Sequence, residues 1–321
     1  MFLTVVPAHF GGPGLVQGSD VSGVVVKIGE GVTRARPARV SRLFANRLQF
    51  KPGDRVAGTF RSGAFAEYAS YPELSTFHIP GTLTFEEACT IPLGLTTAAM
   101  GIYRRLGYSL DTPISEPKSI VVWGASGSVG QYAVQLAKLV GLRVIGVAGA
   151  GAPVAKISGC DVVVDYRQGQ TLAQIKQVLG DEQLQHGFDA VSENHTTSQL
   201  ASLISPSTKD AKVVMVLHPH EPLPTHIQYP QTSVFSIYGE EVRHGPNVVP
   251  AMPEDTEFAK RFFPALEGWL REGGKIIPNK ITIVEGGLEG VPEGFRRMRE
   301  KEVSGEKLVF RIAETPGVEA H

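Results

Sequence analysis

With 321 residues, 42% of them apolar, the chain exceeds ordinary single-domain size and carries enough hydrocarbon for two cores. A formal charge of −1 gives no electrostatic reason to expect nucleic acid or an anionic membrane as partner, and two cysteines, Cys89 and Cys160, exclude a disulfide scaffold and read as small buried residues. No apolar run approaches the roughly 18 residues of a bilayer span, and the opening MFLTVV lacks the basic start of a signal peptide, so the expectation is a soluble, cytoplasmic protein.

In chain order, residues 20–80 come first, rich in Val, Gly and turn signals such as Pro52-Gly53-Asp54, the composition of short strands joined by tight turns. They are interrupted at 35–49 by ARPARVSRLFANRLQ, which holds Arg36, Arg39, Arg42 and Arg47 and no acid. It reads either as an exposed insertion or as a basic arm for a carrier-protein partner.

The run SIVVW at 119–123 has no polar face, as expected of a parallel strand buried on both sides, and RVIGVA at 143–148 is a second such run. Between them Val129, Ala133, Leu136, Ala137 and Val140 recur at helical spacing. The segment is therefore a βαβ unit.

Three glycines at steps of three fill its first turn, Gly124-Ala-Ser-Gly127-Ser-Val-Gly130. The first permits a sharp exit from the strand, the second lets backbone approach a ligand, and the third allows close packing of helix on strand. Helix-start N–H groups, at the positive end of the dipole, then suit a pyrophosphate, and the candidate contacts are Gly124, Ser126, Gly127, Ser128, Val129 and Gly130. A hydrolase nucleophile elbow needs Gly-x-Ser-x-Gly; Ser126 is followed at the second place by Ser128, so that chemistry fails.

Further strands are expected at DVVVDY (161–166), FDAVSE (188–193), KVVMVL (212–217) and SVFSIY (233–238), with helices around 172–179 and 258–274. Alternation of this kind predicts an α/β, doubly wound parallel sheet, a Rossmann domain spanning 116–273. NAD selectivity normally calls for a carboxylate near the end of the second strand. That region reads VAGAGAPVAK, with no acid before Asp161, so NADP (NADPH) is the expected cofactor, with Ser158, Lys156, or Tyr166 and Arg167 as neighbours of its 2′-phosphate.

Several stretches resemble the medium-chain dehydrogenase/reductases: GSDVSGVVVKIGEGV (18–32), FKPGDRVAG (50–58), GAFAEYA (63–69), EEACTIPLGLTTAAMGIYRRLG (86–107), the glycine-turn unit, SGCDVVVDYR (158–167) and VEGGLEGVPEGFRRMREKEVSGEKLVFRI toward the end. The wording is most similar to the fungal zinc-independent branch, with its trans-acting enoyl reductases and quinone-oxidoreductase-like proteins. The resemblance implies a GroES-like, β-rich catalytic domain made of 1–115 and 274–321. It also implies that this domain is incomplete at its N-terminus, because the chain opens almost at the GSDVSG motif.

The same resemblance implies hydride transfer from NADPH to an activated alkene, small or carried on an acyl-carrier protein, with a polyketide synthase as partner. Thr97 in GLTTAA, with Thr96 beside it, would lie near the nicotinamide; His218, just after the strand at 212–217, is read from its position at that strand's carboxyl end as a residue that lines the cleft and contacts the cofactor. The proton can come from water. A detoxifying quinone or enone reductase and a non-catalytic nucleotide-binding relic are the alternatives. Gly18-Ser19-Asp20 lacks the histidine and glutamate that zinc enzymes carry there, so no metal is expected, although His218 and His220 flank one residue. Relatives that dimerise through a sheet edge make SVFSIY the candidate edge of a homodimer.

Overall fold

The computed structural model describes residues 16–29, 32, 50–219, 221–244 and 247–318, with backbone alone at 242–244 and 247–249. The arginine-bearing segment 35–49 and His220 lie outside the described residues. The chain divides into two compact units: one comprises 1–93, 235–303 and 307–321, the other 94–234 and 304–306.

In the first unit, β1 (Asp20–Val24), β2 (Arg55–Thr59) and β3 (Thr76–His78) form an antiparallel sheet in that order, with Asp20 opposite Thr59. Short helix α1 (Phe85–Ala88) opens with a capping box in which Thr84 and Glu87 each serve the other's backbone N–H. Helix α2 (Pro92–Ala99) begins in this unit and passes into the second, where it runs on as a π-turn over Met100–Arg105.

The second unit holds β4 (Ser119–Trp123), α3 (Ser128–Leu139), β5 (Arg143–Ala148), α4 (Ala152–Ile157), β6 (Val162–Asp165), α5 (Thr171–Leu179), β7 (His186–Asp189), α6 (Thr196–Ala201) and β8 (Lys212–Met215). Its strands are parallel in the order β6-β5-β4-β7-β8, so the chain reverses direction beside β4. Alternation along β4 and β5 explains their unbroken apolar runs. Val121, Trp123, Ile145 and Val147 pack with Ile175 and Leu200 of α5 and α6, while Ile120, Val122 and Val144, also fully buried, point to the opposite face.

The remaining elements are β9 (Val242–His244), β10 (Asn247–Val249), α7 (Pro253–Glu272), β11 (Lys280–Ile283), α8 (Val291–Arg299) and β12 (Glu306–Val309). Helix α7 groups with the first unit, where Phe263 stacks on Phe77 of β3. The unit boundaries thus fall at 93/94 and 234/235, whereas the sequence placed a domain over 116–273.

Two sequence readings need correction. SVFSIY forms a 3₁₀ turn over Val234–Tyr238, not a strand. Val234 and Ile237, three apart, are both buried, which is the face a three-residue turn presents. A homodimer through a strand edge at 233–238 has no such edge to use. FDAVSE stays extended only to Asp189, because that residue's carboxylate turns the chain. No helix among the described residues is long and apolar enough to cross a membrane.

Candidate functional site

The turn between β4 and α3 sits at the carboxyl ends of the parallel strands, beside the point where strand order reverses, the usual ligand crevice of an open α/β sheet. Gly124 leaves β4 with φ of +73°, and a Cβ there would stand 2.6 Å from Val191 Cγ2. Its N–H and that of Ala125 both donate to the Val147 carbonyl at 3.0 Å, so the turn is anchored to β5. At Gly130 an added Cβ would fall on the Gly124 carbonyl oxygen, so the helix presses backbone to backbone against the strand exit.

Gly127 is the N-cap of α3 and supplies no side-chain cap, and its own N–H donates to the Gly124 carbonyl at 2.9 Å; a helix start without a side-chain cap is a position that oxyanions generally favour. Ser126, Gly127 and Val129 keep solvent exposure, while Ser128 and Gly130 are buried. Gln131 Nε2 donates to the Ser126 carbonyl at 2.8 Å and holds the loop shape. The missing Cβ atoms at Gly124 and Gly130 let backbone pack closely here, and Gly124, Ser126, Gly127, Ser128, Val129 and Gly130 are the residues of this turn.

Helix α2 reaches the same place. A Cβ at Gly94 would meet Ser128 Oγ at 2.7 Å and the Tyr132 ring at 3.1 Å, so the GLTT segment lies directly on the start of α3. Thr97 is buried, and its carbonyl accepts from Thr232 Oγ1 at 2.7 Å. Thr96 is 1% exposed, and its Oγ1 has no hydrogen-bond partner among the described residues.

At the tip of β5 the chain offers Gly149, against which the Tyr166 ring packs; a Cβ there would be 2.7 Å from the phenol oxygen. Tyr166 is 54% exposed beside the strand end. Lys156 is exposed on α4 and donates to the Asp161 carbonyl at 2.9 Å. Ser158 is buried, and its hydroxyl donates back to the Val154 carbonyl at 3.0 Å, so its hydrogen goes to its own helix. Arg167 pairs with Asp165 (2.6 Å), and that guanidinium holds the Asp165 carboxyl down to about 2. Asp165 lies beside Ala148 in the β5–β6 register, so a carboxylate does stand at this edge, on the next strand and neutralised. His218 is exposed in the segment after β8.

Sequence reasoning missed Asp189. Fully buried at the end of β7, it accepts from the N–H groups of Val191 and Ser192 (2.9 Å each) and the hydroxyls of Thr196 (2.8 Å) and Thr197 (2.7 Å). Those bonds fix a loop in which Ser192, Asn194 and His195 all have positive φ and Val191 meets Gly124. The legible signal was an aspartate closing an apolar run before Ser and Thr.

In the first unit Asp20 is an internal partner. Its carboxylate accepts from Lys307 Nζ at 2.5 Å and from the Leu93 N–H at 2.7 Å, and Lys307 also donates to the Thr90 carbonyl. Among the described residues no group of three His, Cys, Asp or Glu could hold a metal ion. Burial pushes the Cys160 thiol up to about 12 and raises that of Cys89 too, so neither is a nucleophile near neutral pH.

A family profile described as zinc-binding dehydrogenase matches residues 128–247. A zinc-type alcohol dehydrogenase-like protein of Schizosaccharomyces pombe is 30% identical over 305 residues, 93% of this chain and 85% of that one. The trans-enoyl reductase ACTTS2 of Alternaria alternata is 32% identical over 311 residues, 94% and 84% of the two chains. Among solved structures, a putative zinc-dependent alcohol dehydrogenase from Rhizobium etli superposes with a TM-score of 0.71 at 20% identity (92% of this chain, 80% of that one). The CurK enoyl reductase gives 0.66 at 16% (92% and 80%). A mycobacterial protein complexed with NADPH gives 0.62 at 23% (92% and 82%). The solved structures show the shared fold.

Proposed function

The chain belongs to the medium-chain dehydrogenase/reductase superfamily, and from that premise we propose that it is an NADPH-dependent reductase of activated carbon–carbon double bonds, acting on an enoyl group carried as a thioester. The observation that carries the reading is the Gly124–Gly130 cradle, where the Cβ atoms of Gly124 and Gly130 would collide with neighbours and the N-cap of α3 has no side chain. Backbone N–H groups there hold the diphosphate without competition from a cap, and the helix dipole adds to the attraction.

Preference for NADPH over NADH rests on the β5 tip. No carboxylate faces outward from β5 itself, the neighbouring Asp165 is spent on Arg167, and Tyr166 and Lys156 offer a ring, a hydroxyl and a positive charge to a 2′-phosphate. When bound, the reduced nicotinamide supplies the hydride. The chain contributes position: Val191, in the loop fixed by Asp189, meets Gly124 of the turn, and Thr97, buried on α2 three residues after Gly94, is the residue we assign beside the nicotinamide.

The zinc-independent reading rests on donor chemistry, since Asp20 in the Gly18-Ser19-Asp20 motif is committed to Lys307. The enoyl substrate class, and a polyketide-type carrier as its source, rest on the trans-enoyl reductase relatives. The deciding assay follows NADPH absorbance in purified protein given an enoyl thioester, a simple enone or a quinone. Oxidation with the thioester supports the proposal, oxidation confined to enones and quinones replaces it with a detoxifying reductase, and binding without any oxidation leaves a nucleotide-binding protein.

A further inference from the structure

The nucleotide-binding unit has a second concavity, at the opposite end of its sheet from the glycine turn. Ser119 is the first residue of β4, and the turn begins after Trp123, so about 13–16 Å of strand separates the two. The cavity is about 440 Å³, lined among others by Lys118, Ser119, Glu182, Ser207, Thr208 and Lys209.

Its charge is unbalanced. Glu182 is the acid in the lining, but its oxygens accept from the Ser119 N–H (2.5 Å) and hydroxyl (2.7 Å), with Arg143 3.9 Å away. Against that one carboxylate the lining sets two lysines, Lys118 and Lys209, which leaves an excess of one positive charge. His186, at the start of β7 and behind lining residue Tyr108, shares a 2.8 Å hydrogen bond with that phenol. Burial, and then the charges of Lys212 and Lys118, press its imidazole down to about 4 against the opposing backbone hydrogen bond and charge of Asp210. One lining hydroxyl also lacks a partner among the described residues: Thr208 Oγ1 is buried without a hydrogen bond, an arrangement that a ligand or water oxygen would complete.

We propose that this cavity is a binding site for a small phosphomonoester, gripped by the ammonium groups of Lys118 and Lys209 and by the hydroxyls of Ser207 and Thr208. Two point charges flanked by hydroxyl donors match a tetrahedral oxyanion, and the volume leaves room for a hydroxylated organic part beside it. The site is independent of the dinucleotide turn and of the reaction proposed above.

Calorimetric titration of the full chain with inorganic phosphate and with glycerol phosphate, each against sodium chloride at matched ionic strength, tests it. Saturable binding of both is expected, tighter for the ester, with a dissociation constant on the order of 1 mM or below. Lys118→Ala and Lys209→Ala should each weaken it about tenfold and together abolish it. Thr208→Val should weaken it several-fold without lowering the melting temperature in phosphate-free buffer, since no existing hydrogen bond is lost. Heat that never saturates overturns the proposal. So does full affinity in the double lysine variant, which would move the anion elsewhere, the glycine turn included. A Thr208→Val protein that melts early in phosphate-free buffer would show that its hydroxyl already has a partner, and binding of inorganic phosphate alone would exclude an ester.

Discussion

Gly130→Ala adds one methyl where the first turn of α3 bears on the exit of β4. The new carbon would overlap the Gly124 carbonyl oxygen and lie 2.8 Å from its carbon and 3.0 Å from Ala125 Cα. All of these are backbone atoms, so the helix itself must withdraw. Alanine's helix propensity returns about 1 kcal/mol, while overpacking costs about 1–3 kcal/mol, a net loss of about 0–2 kcal/mol. The larger effect falls on the cofactor. Moving the helix start misaims N–H groups whose hydrogen bonds to a charged diphosphate contribute about 1.5–3 kcal/mol each, so losing one or two should weaken NADPH binding by about 10²-fold. Gly268→Ala is the matched control: it lies within α7, nothing stands within 4 Å of its missing Cβ, and the same substitution should gain up to about 1 kcal/mol. Urea denaturation reads the two stabilities and fluorescence titration reads NADPH. A Gly130→Ala protein that binds NADPH as tightly as wild type and is as stable as Gly268→Ala would refute the close-packing argument.

Lys307→Met should destabilise the first unit by about 3–5 kcal/mol, because it strands a buried carboxylate at Asp20, whose side chain is 3% exposed; Asp20→Asn/Lys307→Met should recover most of that loss in the same denaturation assay. His78 lies between Glu267 (2.8 Å) and Asp54 (3.2 Å), and the hydrogen bond it donates to the Glu267 carboxylate leads in raising its pKa. A raised folded-state pKa gives stability that is fully present below the unfolded value of about 6.5 and lost as pH rises through the folded one, so His78→Gln should flatten the decline in melting temperature above neutrality. Lys156→Glu should raise KM for NADPH about tenfold and leave KM for NADH nearly unchanged in steady-state rates, since only the 2′-phosphate meets the new charge. Equal effects on both cofactors would remove Lys156 from the phosphate site.

The sequence predicted β4 and β5 to the residue, because a two-sided apolar run followed by a glycine turn has few other readings. It misjudged SVFSIY because five residues with apolar members at odd and even places satisfy both a strand and a 3₁₀ turn; burial of Val234 and Ile237 depends on tertiary neighbours. It placed α7 correctly as a helix but assigned it to the 116–273 domain, whereas its stripe of Phe258, Phe262, Phe263 and Leu266 groups with the first unit, since amphipathic spacing names a face and not its partner. The Asp20–Lys307 pair spans 287 residues of sequence and had no local signature. At the candidate site the glycine spacing was legible, because steric exclusion of Cβ atoms is a local demand. The Asp165–Arg167 pair and the Asp189 hub were not, because each depends on side-chain rotamers within turns.

Titration of the native protein with NADPH and, separately, NADH bears most directly on the claim that main-chain amides of the 124–130 turn hold a dinucleotide. Enhanced nicotinamide fluorescence and a higher melting temperature are expected with NADPH, at an affinity about tenfold or more above that for NADH. An unchanged signal and an unchanged melting temperature with both nucleotides would contradict the account.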